Sequence, residues 1–168
     1  MVKALFLDRD GVINVDRGYV HKIEDFRLAD GIVSLCVCAL ALRYEIIVVT
    51  NQSGVARGYY TEEDFKKLND YMLDLFAGYE AAITDVFHCP LLESEDRKPE
   101  PGMFLKAKRK HNIDMGASVS LGDSERDIEA ALRAGVGRNY LLSLQGEAPS
   151  ESKATKIVKS LKEVEILL

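Results

Sequence analysis

Short apolar runs alternate along the chain with segments whose apolar residues recur at helical spacing. The runs predict β-strands at residues 3–8, 45–50, 82–88, 118–121 and 139–142. The helical spacing predicts helices over residues 31–43, 101–111 and 123–134, and a further helix that begins at Thr61. Strands that alternate with helices are typical of an α/β fold, here a doubly wound parallel sheet with helices on both faces.

The C-terminal segment predicts one more helix and one more strand. Lysines recur at every third position from 153 to 162, which suits the solvent side of an amphipathic helix over residues 152–161. Ile157, Val158 and Leu161 would then face the core. Residues 164–168 are largely apolar and predict a last short strand.

The composition indicates an acidic globular protein. The chain has 168 residues, of which 47% are apolar, and this is enough for a full hydrophobic core in a single domain spanning 1–168. The net charge of −5 and the pI near 5.3 argue against a nucleic-acid partner, because a phosphate backbone is bound by a basic surface.

Cysteine content and hydropathy predict a cytoplasmic protein. The three cysteines are an odd number in a chain that shows no signal peptide, and we expect them to be reduced. The chain enters its first strand at once, which leaves no room for a targeting segment. Residues 32–42 are the most apolar stretch, too short for a bilayer that needs about 20 residues, and they predict a buried helix. We expect a monomer with no membrane partner.

The end of the first predicted strand carries the strongest chemical signal. Asp8 and Asp10 stand two positions apart before Gly11, and alternation along a strand can point both carboxylates the same way. Two carboxylates that are forced together and stay ionised usually hold a cation. Aspartate and glycine also favour turns, so this run by itself leaves a polar turn and a cation site equally open.

Polar residues also follow the other predicted strands. Residues 50–54 (Thr-Asn-Gln-Ser-Gly) follow the second strand, Lys98 lies in the loop after the third, and Asp123 and Asp127 follow the fourth. Each has an ordinary explanation as a turn, a helix cap or a solvated charge. Because ligands of open α/β sheets bind beyond the carboxyl ends of the strands, the coincidence of all four favours a single site.

The charges of this predicted site favour a divalent cation. Asp8, Asp10, Asp123 and Asp127 together outweigh Lys98 and would repel a phosphate group. The candidate ligands are hard oxygens without histidine or thiolate among them, which indicates Mg²⁺. Because Mg²⁺ readily shares a substrate phosphate, the sequence predicts phosphoryl chemistry.

The same stretches are similar to those of the haloacid dehalogenase-like phosphatases, and among these to the heptose bisphosphate phosphatases. The superfamily pattern is an Asp-x-Asp strand end, a Ser/Thr strand end, a Lys and a later Gly-Asp. The pattern corresponds here to residues 8–10, Thr50, Lys98 and residues 122–123, with further matching stretches at 5–14, 18–20, 48–58, 97–99 and 101–103. The resemblance covers most of the chain and implies a Rossmann-like fold with a minimal cap domain or none.

The resemblance also implies a role for each residue of the predicted site. Asp8 would be the nucleophile that forms an aspartyl phosphate, and Asp10 would protonate the leaving sugar oxygen and then activate water. Thr50 would hold phosphate oxygens, and Lys98 would neutralise the phosphoryl charge. Asp8, Asp123 and the Asp10 carbonyl would bind Mg²⁺. Substrate contacts would come from Asp16, Arg17, Gly18, Tyr19, Asn51, Gln52, Ser53, Arg97 and Ser124.

One departure from the family pattern concerns zinc. Many members carry a Cys-x-His pair and a Cys-x-Cys pair ahead of Arg-Lys-Pro. Here Cys89 is present, but Leu91 takes the place of the histidine, and Glu95 lies in the region of the second cysteine pair. Because one thiolate cannot make a tetrahedral zinc site, we predict no zinc and a shorter, metal-free loop.

The resemblance implies Mg²⁺-dependent removal of the 7-phosphate from D-glycero-D-manno-heptose 1,7-bisphosphate, toward the nucleotide-heptose precursors of lipopolysaccharide or S-layer glycans. Histidinol-phosphate phosphatases share most of the motifs and are the nearest alternative. A 3′-phosphatase for nucleic-acid ends shares some motifs, but the low pI argues against it. A receiver-like phosphoacceptor module also forms an aspartyl phosphate, but Asp10 is placed to hydrolyse it.

Overall fold

The chain folds around a parallel sheet in a computed structural model that describes residues 1–144 and 151–168. The strands are β1 (Lys3–Leu7), β2 (Tyr44–Asn51), β3 (Asp85–Cys89), β4 (Val119–Gly122), β5 (Arg138–Leu142) and β6 (Lys156–Val158). The helices are α1 (Ile32–Ala41), α2 (Glu62–Gly78), α3 (Gly102–His111), α4 (Glu125–Arg133) and α5 (Leu161–Leu167), with a 3-10 turn at Ile23–Asp25. The six-stranded sheet has the order β3-β2-β1-β4-β5-β6, and neighbouring strands are parallel.

Alternation along β1 supplies a hydrophobic core on each face of the sheet. Leu5 and Leu7 belong to one core, together with buried residues of α1, α2 and α5 such as Phe76. Phe6 belongs to the other core, where its ring centroid lies 4.9 Å from that of Phe104 on α3. Helices therefore cover both faces, as continuous apolar strands require. The predicted doubly wound α/β fold is confirmed.

The winding of the sheet reverses between β1 and β4. From β1 the chain runs outward to β2 and β3, and from β4 it runs outward in the other direction to β5 and β6. Asp8 continues the β1 pairing beyond the strand, since its backbone N–H donates to the Leu121 carbonyl oxygen at 3.1 Å. Such a switch point leaves a crevice at the carboxyl ends of the two strands, which is where doubly wound folds bind ligands.

The most apolar stretch of the sequence is a buried helix, as expected. The helix α1 places Ile32, Leu35, Cys36 and Ala39 in the core. Within the two described ranges, no helix is both long and apolar enough to cross a membrane.

The two C-terminal predictions are wrong. Within the predicted helix over residues 152–161, residues 156–158 instead form β6, which pairs with β5. Val158 is buried while Ile157 is 37% exposed, an alternation that belongs to a strand, so Ile157 does not face the core. The predicted strand over 164–168 lies largely in α5, whose first turn is capped by the Ser160 hydroxyl accepting from the Glu163 N–H at 3.3 Å. Solvated lysines suit an exposed edge strand as well as a helix, so their spacing did not discriminate.

Candidate active site

The predicted site residues meet at the carboxyl edge of the sheet, around a cavity of about 390 Å³. β1 and β4 contribute the residues that follow their last positions, and the loops after β2 and β3 close the sides. The cavity is lined by Asp8, Asp10, Asp16, Gly18, Tyr19, Thr50, Asn51, Gln52, Ser53, Arg57, Tyr60, Arg97, Lys98, Asp123, Ser124, Arg126 and Asp127. Of the residues predicted from the sequence, Arg17 is outside this lining and lies on the exposed part of the loop after β1.

A lysine and two aspartates form the floor of the cavity. The Lys98 Nζ atom lies 2.9 Å from Asp8 Oδ1 and 2.6 Å from Asp127 Oδ1, and it also donates to the Val49 carbonyl oxygen at 2.9 Å. Lys98 is only 2% exposed, so it is not a solvated loop residue. A buried ammonium held by two carboxylates is well placed to neutralise negative charge that develops beside Asp8. We call Asp8, Lys98 and Asp127 the floor.

Burial and crowding shift the pKa values of the floor residues and of Asp123. Burial raises the pKa of Asp8 to about 7, against the opposing effect of Lys98. Burial and the Asp127 charge raise the pKa of Asp123 to about 6. For Asp127 the burial effect is outweighed by Lys98 and by hydrogen bonds from Ser124, so its pKa is lowered. Burial likewise opposes the charge on Lys98, but Asp127 and Asp8 prevail and raise its pKa. The arrangement therefore carries more negative charge than Lys98 can balance.

The excess negative charge has the geometry of a cation site. One carboxylate oxygen from each of Asp8, Asp123 and Asp127 lies within 4.8 Å of the other two. Both Asp127 oxygens already accept hydrogen bonds, Oδ1 from Lys98 and Oδ2 from the Ser124 N–H and hydroxyl at 3.0 and 2.7 Å. Asp8 and Asp123 are thus the side chains with oxygens to offer, and an all-oxygen donor set fits Mg²⁺.

Two glycines allow these carboxylates to approach each other. A Cβ atom on Gly11 would lie 2.0 Å from Asp123 Oδ2, and the φ angle of Gly11 is +89°, in the left-handed region. A Cβ atom on Gly122 would lie 2.2 Å from the Asp127 Cβ atom. The glycines that follow Asp10 and precede Asp123 therefore act by making room for the floor and for Asp123.

Asp10 is held by donors from three neighbours. Arg9 Nη2 donates to both carboxylate oxygens at 3.0 and 3.1 Å, Asn14 Nδ2 donates to Oδ1 at 3.1 Å, and Gln52 Nε2 donates to Oδ2 at 3.0 Å. Arg9 is 1% exposed and also donates to the Val20 carbonyl oxygen at 2.6 Å. The sequence analysis missed Arg9, which lies in the turn after β1 and whose guanidinium lies over the Phe65 ring, 5.8 Å from its centroid.

The amides after β2 are engaged within the protein. Asn51 Nδ2 donates to the Lys98 carbonyl oxygen and Asn51 Oδ1 accepts from the Lys98 N–H, both at 3.0 Å, next to the cis peptide bond between Lys98 and Pro99. Asn51 therefore ties the lysine loop to β2. Gln52 is 2% exposed and donates to the Thr50 hydroxyl at 2.9 Å as well as to Asp10.

Exposed residues surround the mouth of the cavity. We call Asp16, Gly18, Tyr19, Arg57 and Arg126 the rim, and all of them are solvent-exposed. The sequence analysis missed Arg57 and Arg126 as well as the buried Tyr60. Arg57 lies within the matching stretch at 48–58, so the resemblance could have indicated it as a site residue. Arg126 lies in the first turn of α4, outside the matching stretches, and no feature of the sequence marks it.

Cys89 lies in the core and not at the cavity. Its side chain is buried, and its thiol faces the Leu91 carbonyl oxygen at 3.8 Å. The expectation that the loop after β3 holds no zinc stays a prediction.

Comparison with known sequences shows close relatives over nearly the full length of the chain. Residues 96–164 match the model of the HAD-hydrolase-like family. The D-glycero-alpha-D-manno-heptose-1,7-bisphosphate 7-phosphatase of Campylobacter jejuni is 51% identical over 96% of this chain and 93% of its own length. The enzyme of the same name from Burkholderia mallei is 45% identical over 96% and 91%. The D-glycero-beta-D-manno-heptose-1,7-bisphosphate 7-phosphatase of Yersinia pestis is 40% identical over 91% and 87%.

Comparison with solved structures agrees. The D,D-heptose 1,7-bisphosphate phosphatase from B. bronchiseptica, complexed with magnesium and phosphate, superposes with a TM-score of 0.86 at 28% identity, covering 98% of this chain and 97% of that one. A HAD-like phosphatase from Mesorhizobium loti superposes with a TM-score of 0.84 at 30% identity, covering 98% and 85%. The chain therefore belongs to the D-glycero-D-manno-heptose 1,7-bisphosphate 7-phosphatase family of haloacid dehalogenase-like hydrolases.

Proposed function

We propose that the protein is a Mg²⁺-dependent phosphatase that removes the 7-phosphate of D-glycero-D-manno-heptose 1,7-bisphosphate. The observation that carries this proposal is the floor itself, in which Lys98 lies between Asp8 and Asp127 with Asp10 and Asp123 alongside. Relatives named for this reaction at 40–51% identity support the substrate. That the protein is a hydrolase of phosphate esters follows from the same relatives.

Asp8 starts the reaction as nucleophile. One of its oxygens forms a bond to phosphorus while the bond from phosphorus to the sugar oxygen breaks, which gives an aspartyl phosphate. Asp10 delivers a proton to the departing sugar oxygen and is left ionised. Lys98 offsets the negative charge at Asp8 and the phosphoryl group from 2.9 Å. Mg²⁺, held by Asp8, Asp123 and the Asp10 carbonyl, would balance the remaining charge of the carboxylates and the phosphate.

Asp10 also carries the second half of the reaction. It removes a proton from a water molecule that attacks the phosphorus atom, and Asp8 leaves as a free carboxylate while inorganic phosphate departs. This return step separates a phosphatase from a receiver-like phosphoacceptor, which would keep its aspartyl phosphate. Thr50 at the end of β2 and Ser53 in the next turn line the cavity, and both would contact phosphate oxygens.

The rim suits the part of the substrate that does not react. Arg57 and Arg126 form no ion pair among residues 1–144 and 151–168, and within the same residues the Arg97 guanidinium donates only to the Leu91 carbonyl oxygen, at 3.4 Å. Guanidinium groups without a carboxylate partner suit the 1-phosphate of a bisphosphate. Asp16 can accept hydrogen bonds from sugar hydroxyls, and Tyr19 can donate hydrogen bonds to them.

Several further properties belong to the same proposal. The protein acts as one domain spanning 1–168, as a cytoplasmic monomer that takes a small sugar phosphate and neither nucleic acid nor a membrane. It needs no zinc, since Cys89 is the one thiol at residues 85–101 and a single thiolate cannot make a tetrahedral zinc site. Its product feeds nucleotide-heptose precursors of lipopolysaccharide or S-layer glycans.

A substrate panel tests the proposal. Phosphate release is measured with the α and β anomers of heptose 1,7-bisphosphate, histidinol phosphate and a 3′-phosphorylated oligonucleotide, in the presence and absence of Mg²⁺. We expect one heptose bisphosphate anomer to have the highest kcat/KM, with activity that requires Mg²⁺. A preference for histidinol phosphate would overturn the proposed substrate, and the relatives named above do not favour it.

A further inference from the structure

We infer that Tyr60 is a positioning residue for Asp10, acting through the side chain of Gln52. In this assignment the Tyr60 hydroxyl fixes the orientation of the Gln52 amide, and the amide in turn holds Asp10 and Thr50 in place. The inference rests on the proposed function, in which Asp10 transfers protons at the reacting phosphate.

Gln52 links three side chains in one buried chain of hydrogen bonds. The Tyr60 hydroxyl donates to Gln52 Oε1 at 2.5 Å. Gln52 Nε2 donates to Asp10 Oδ2 at 3.0 Å and to Thr50 Oγ1 at 2.9 Å. Its two N–H groups and its carbonyl oxygen are therefore all engaged, and at 2% exposure it is shielded from water. The expectation that Gln52 binds substrate is replaced here by a positioning role.

The Asp10 carboxylate and the Tyr60 phenol together set which way the Gln52 amide faces. A glutamine amide has nearly the same shape when its oxygen and nitrogen exchange places, so shape alone does not set its orientation. In the reversed orientation Oε1 would face the Asp10 carboxylate, and two acceptors would repel each other. Donation from Tyr60 stabilises the orientation in which nitrogen faces Asp10. Burial raises the pKa of Tyr60 to about 12, which keeps the phenol in its donating form.

The ring of Tyr60 is itself held in place. Gly54 lies against it so closely that a Cβ atom there would be 2.1 Å from Tyr60 Cε1. On another side the His21 ring stacks on it, with centroids 4.9 Å apart and an angle of 10° between the planes. The hydroxyl therefore has a defined position relative to Gln52, as a positioning residue needs.

A double-mutant cycle tests whether Tyr60 acts through Gln52. The variants are Tyr60→Phe, Gln52→Ala and the double variant, and kcat and KM are measured with heptose bisphosphate and with p-nitrophenyl phosphate. Loss of one buried hydrogen bond that orients the acid and base should lower the kcat of Tyr60→Phe by roughly tenfold, with KM changed by less than about threefold. In the Gln52→Ala background the same change should lower kcat by less than about twofold.

Tyr59→Phe is the matched control. Tyr59 is 56% exposed, its hydroxyl makes no hydrogen bond to the residues that the structure describes, and it precedes Tyr60 directly. Its kcat should equal that of the unchanged protein. Thermal unfolding of all four variants separates a loss of folded protein from a loss of turnover in the folded fraction.

Independent losses would overturn the inference. If Tyr60→Phe lowers kcat by the same factor with and without Gln52, or leaves kcat unchanged in folded protein, Tyr60 does not act through Gln52. The substrate panel tests the heptose assignment separately. Because the cycle is also run on p-nitrophenyl phosphate, the coupling between Tyr60 and Gln52 can be measured even if heptose bisphosphate is not the substrate.

Discussion

The floor and the rim of the cavity differ in how the fold places them. Asp8 and Lys98 of the floor have side chains 14% and 2% exposed; Asp8 directly follows β1, and Lys98 is held in its loop by contacts to Val49 and Asp127. The rim residues are solvent-exposed. Buried contacts thus fix the residues assigned to bond making, while the residues assigned to recognition lie at the surface, where the chain varies without disturbing the core. Floor changes should lower kcat, and rim changes should raise KM.

The largest expected effect comes from the nucleophile. Asp8→Asn keeps the size of the side chain but cannot form an aspartyl phosphate, so kcat should fall by at least about 10³-fold. Thermal unfolding should change little, because the amide can still accept a hydrogen bond from Lys98. Phosphate release measures the loss of kcat, and thermal unfolding followed by circular dichroism checks the fold. A folded variant with full activity would refute the assignment of Asp8.

Substitution of Gly11, which lies beside the floor, should lower kcat nearly as much as substitution of Asp8. Gly11→Ala places a Cβ atom where Asp123 Oδ2 lies, 2.0 Å away, and the φ angle of +89° adds strain. The displacement should lower kcat by about 10²-fold, because small misplacements at a reacting centre are costly. Gly78→Ala is the control, since a Cβ atom there meets nothing within 4 Å. Equal activity of both variants would show that the close approach at Gly11 is unimportant.

The rim should respond through binding. Arg126→Ala removes a guanidinium that faces the cavity without an ion-pair partner among the described residues. KM for the bisphosphate should rise by about tenfold while kcat stays within about twofold, as for an interaction made equally before and during reaction. Arg109→Ala removes an exposed arginine on α3, outside the cavity lining, and should leave both constants unchanged. A fall in kcat at constant KM would place Arg126 with the floor instead.

The smallest expected effect is on stability, and it depends on pH. Asp8 has its pKa raised from 3.8 to about 7, so between these pH values the folded state binds more protons than the unfolded state. Stability of the metal-free protein should therefore fall as pH rises from about 4 to about 7. Mg²⁺ requires the ionised carboxylates, so it should raise Tm by a few degrees more at pH 8 than at pH 5.

The control for the pH experiment is Asp123→Asn. Burial is the largest cause of the raised pKa of Asp8, and the Asp123 charge adds to it, so removing this carboxylate lowers the pKa of Asp8 and removes a second raised carboxylate. The variant should show a weaker fall in metal-free Tm with pH and a smaller shift with Mg²⁺, both read by calorimetry. An increase in the Tm of the metal-free parent protein between pH 4 and 7 would contradict the role given to Asp8.

The sequence was sufficient for Asp8 and Asp123 because strand ends are easy to locate. Apolar runs end at Asp8 and before Asp123, and parallel strands bring those ends to one edge. The burial of Arg9 escaped notice because an arginine between two aspartates looks like a surface charge, and only the packing of its guanidinium over Phe65 shows otherwise. Tyr60 escaped notice because its role depends on a contact with Gln52 across eight positions of a loop.

The C-terminal errors have a different origin. Residues 156–158 form a strand only because β5 offers an edge to pair with, and a local pattern of lysines does not report that edge.

Arg17 was placed at the substrate by its neighbours in a matching stretch, whereas the fold turns Asp16 and Gly18 toward the cavity and leaves Arg17 outside its lining. The conformation of edge strands and the orientation of loop side chains thus depend on tertiary contacts that a local sequence pattern does not show.

Identification of the phosphorylated residue tests the central claim most directly. The enzyme is quenched during turnover, the acyl phosphate is reduced with borohydride, and the reduced position is located by mass spectrometry of peptides. If Asp8 is the nucleophile, the modification is found at Asp8 alone and is lost in Asp8→Asn. Modification at another residue, or none in an enzyme that is turning over, would contradict it.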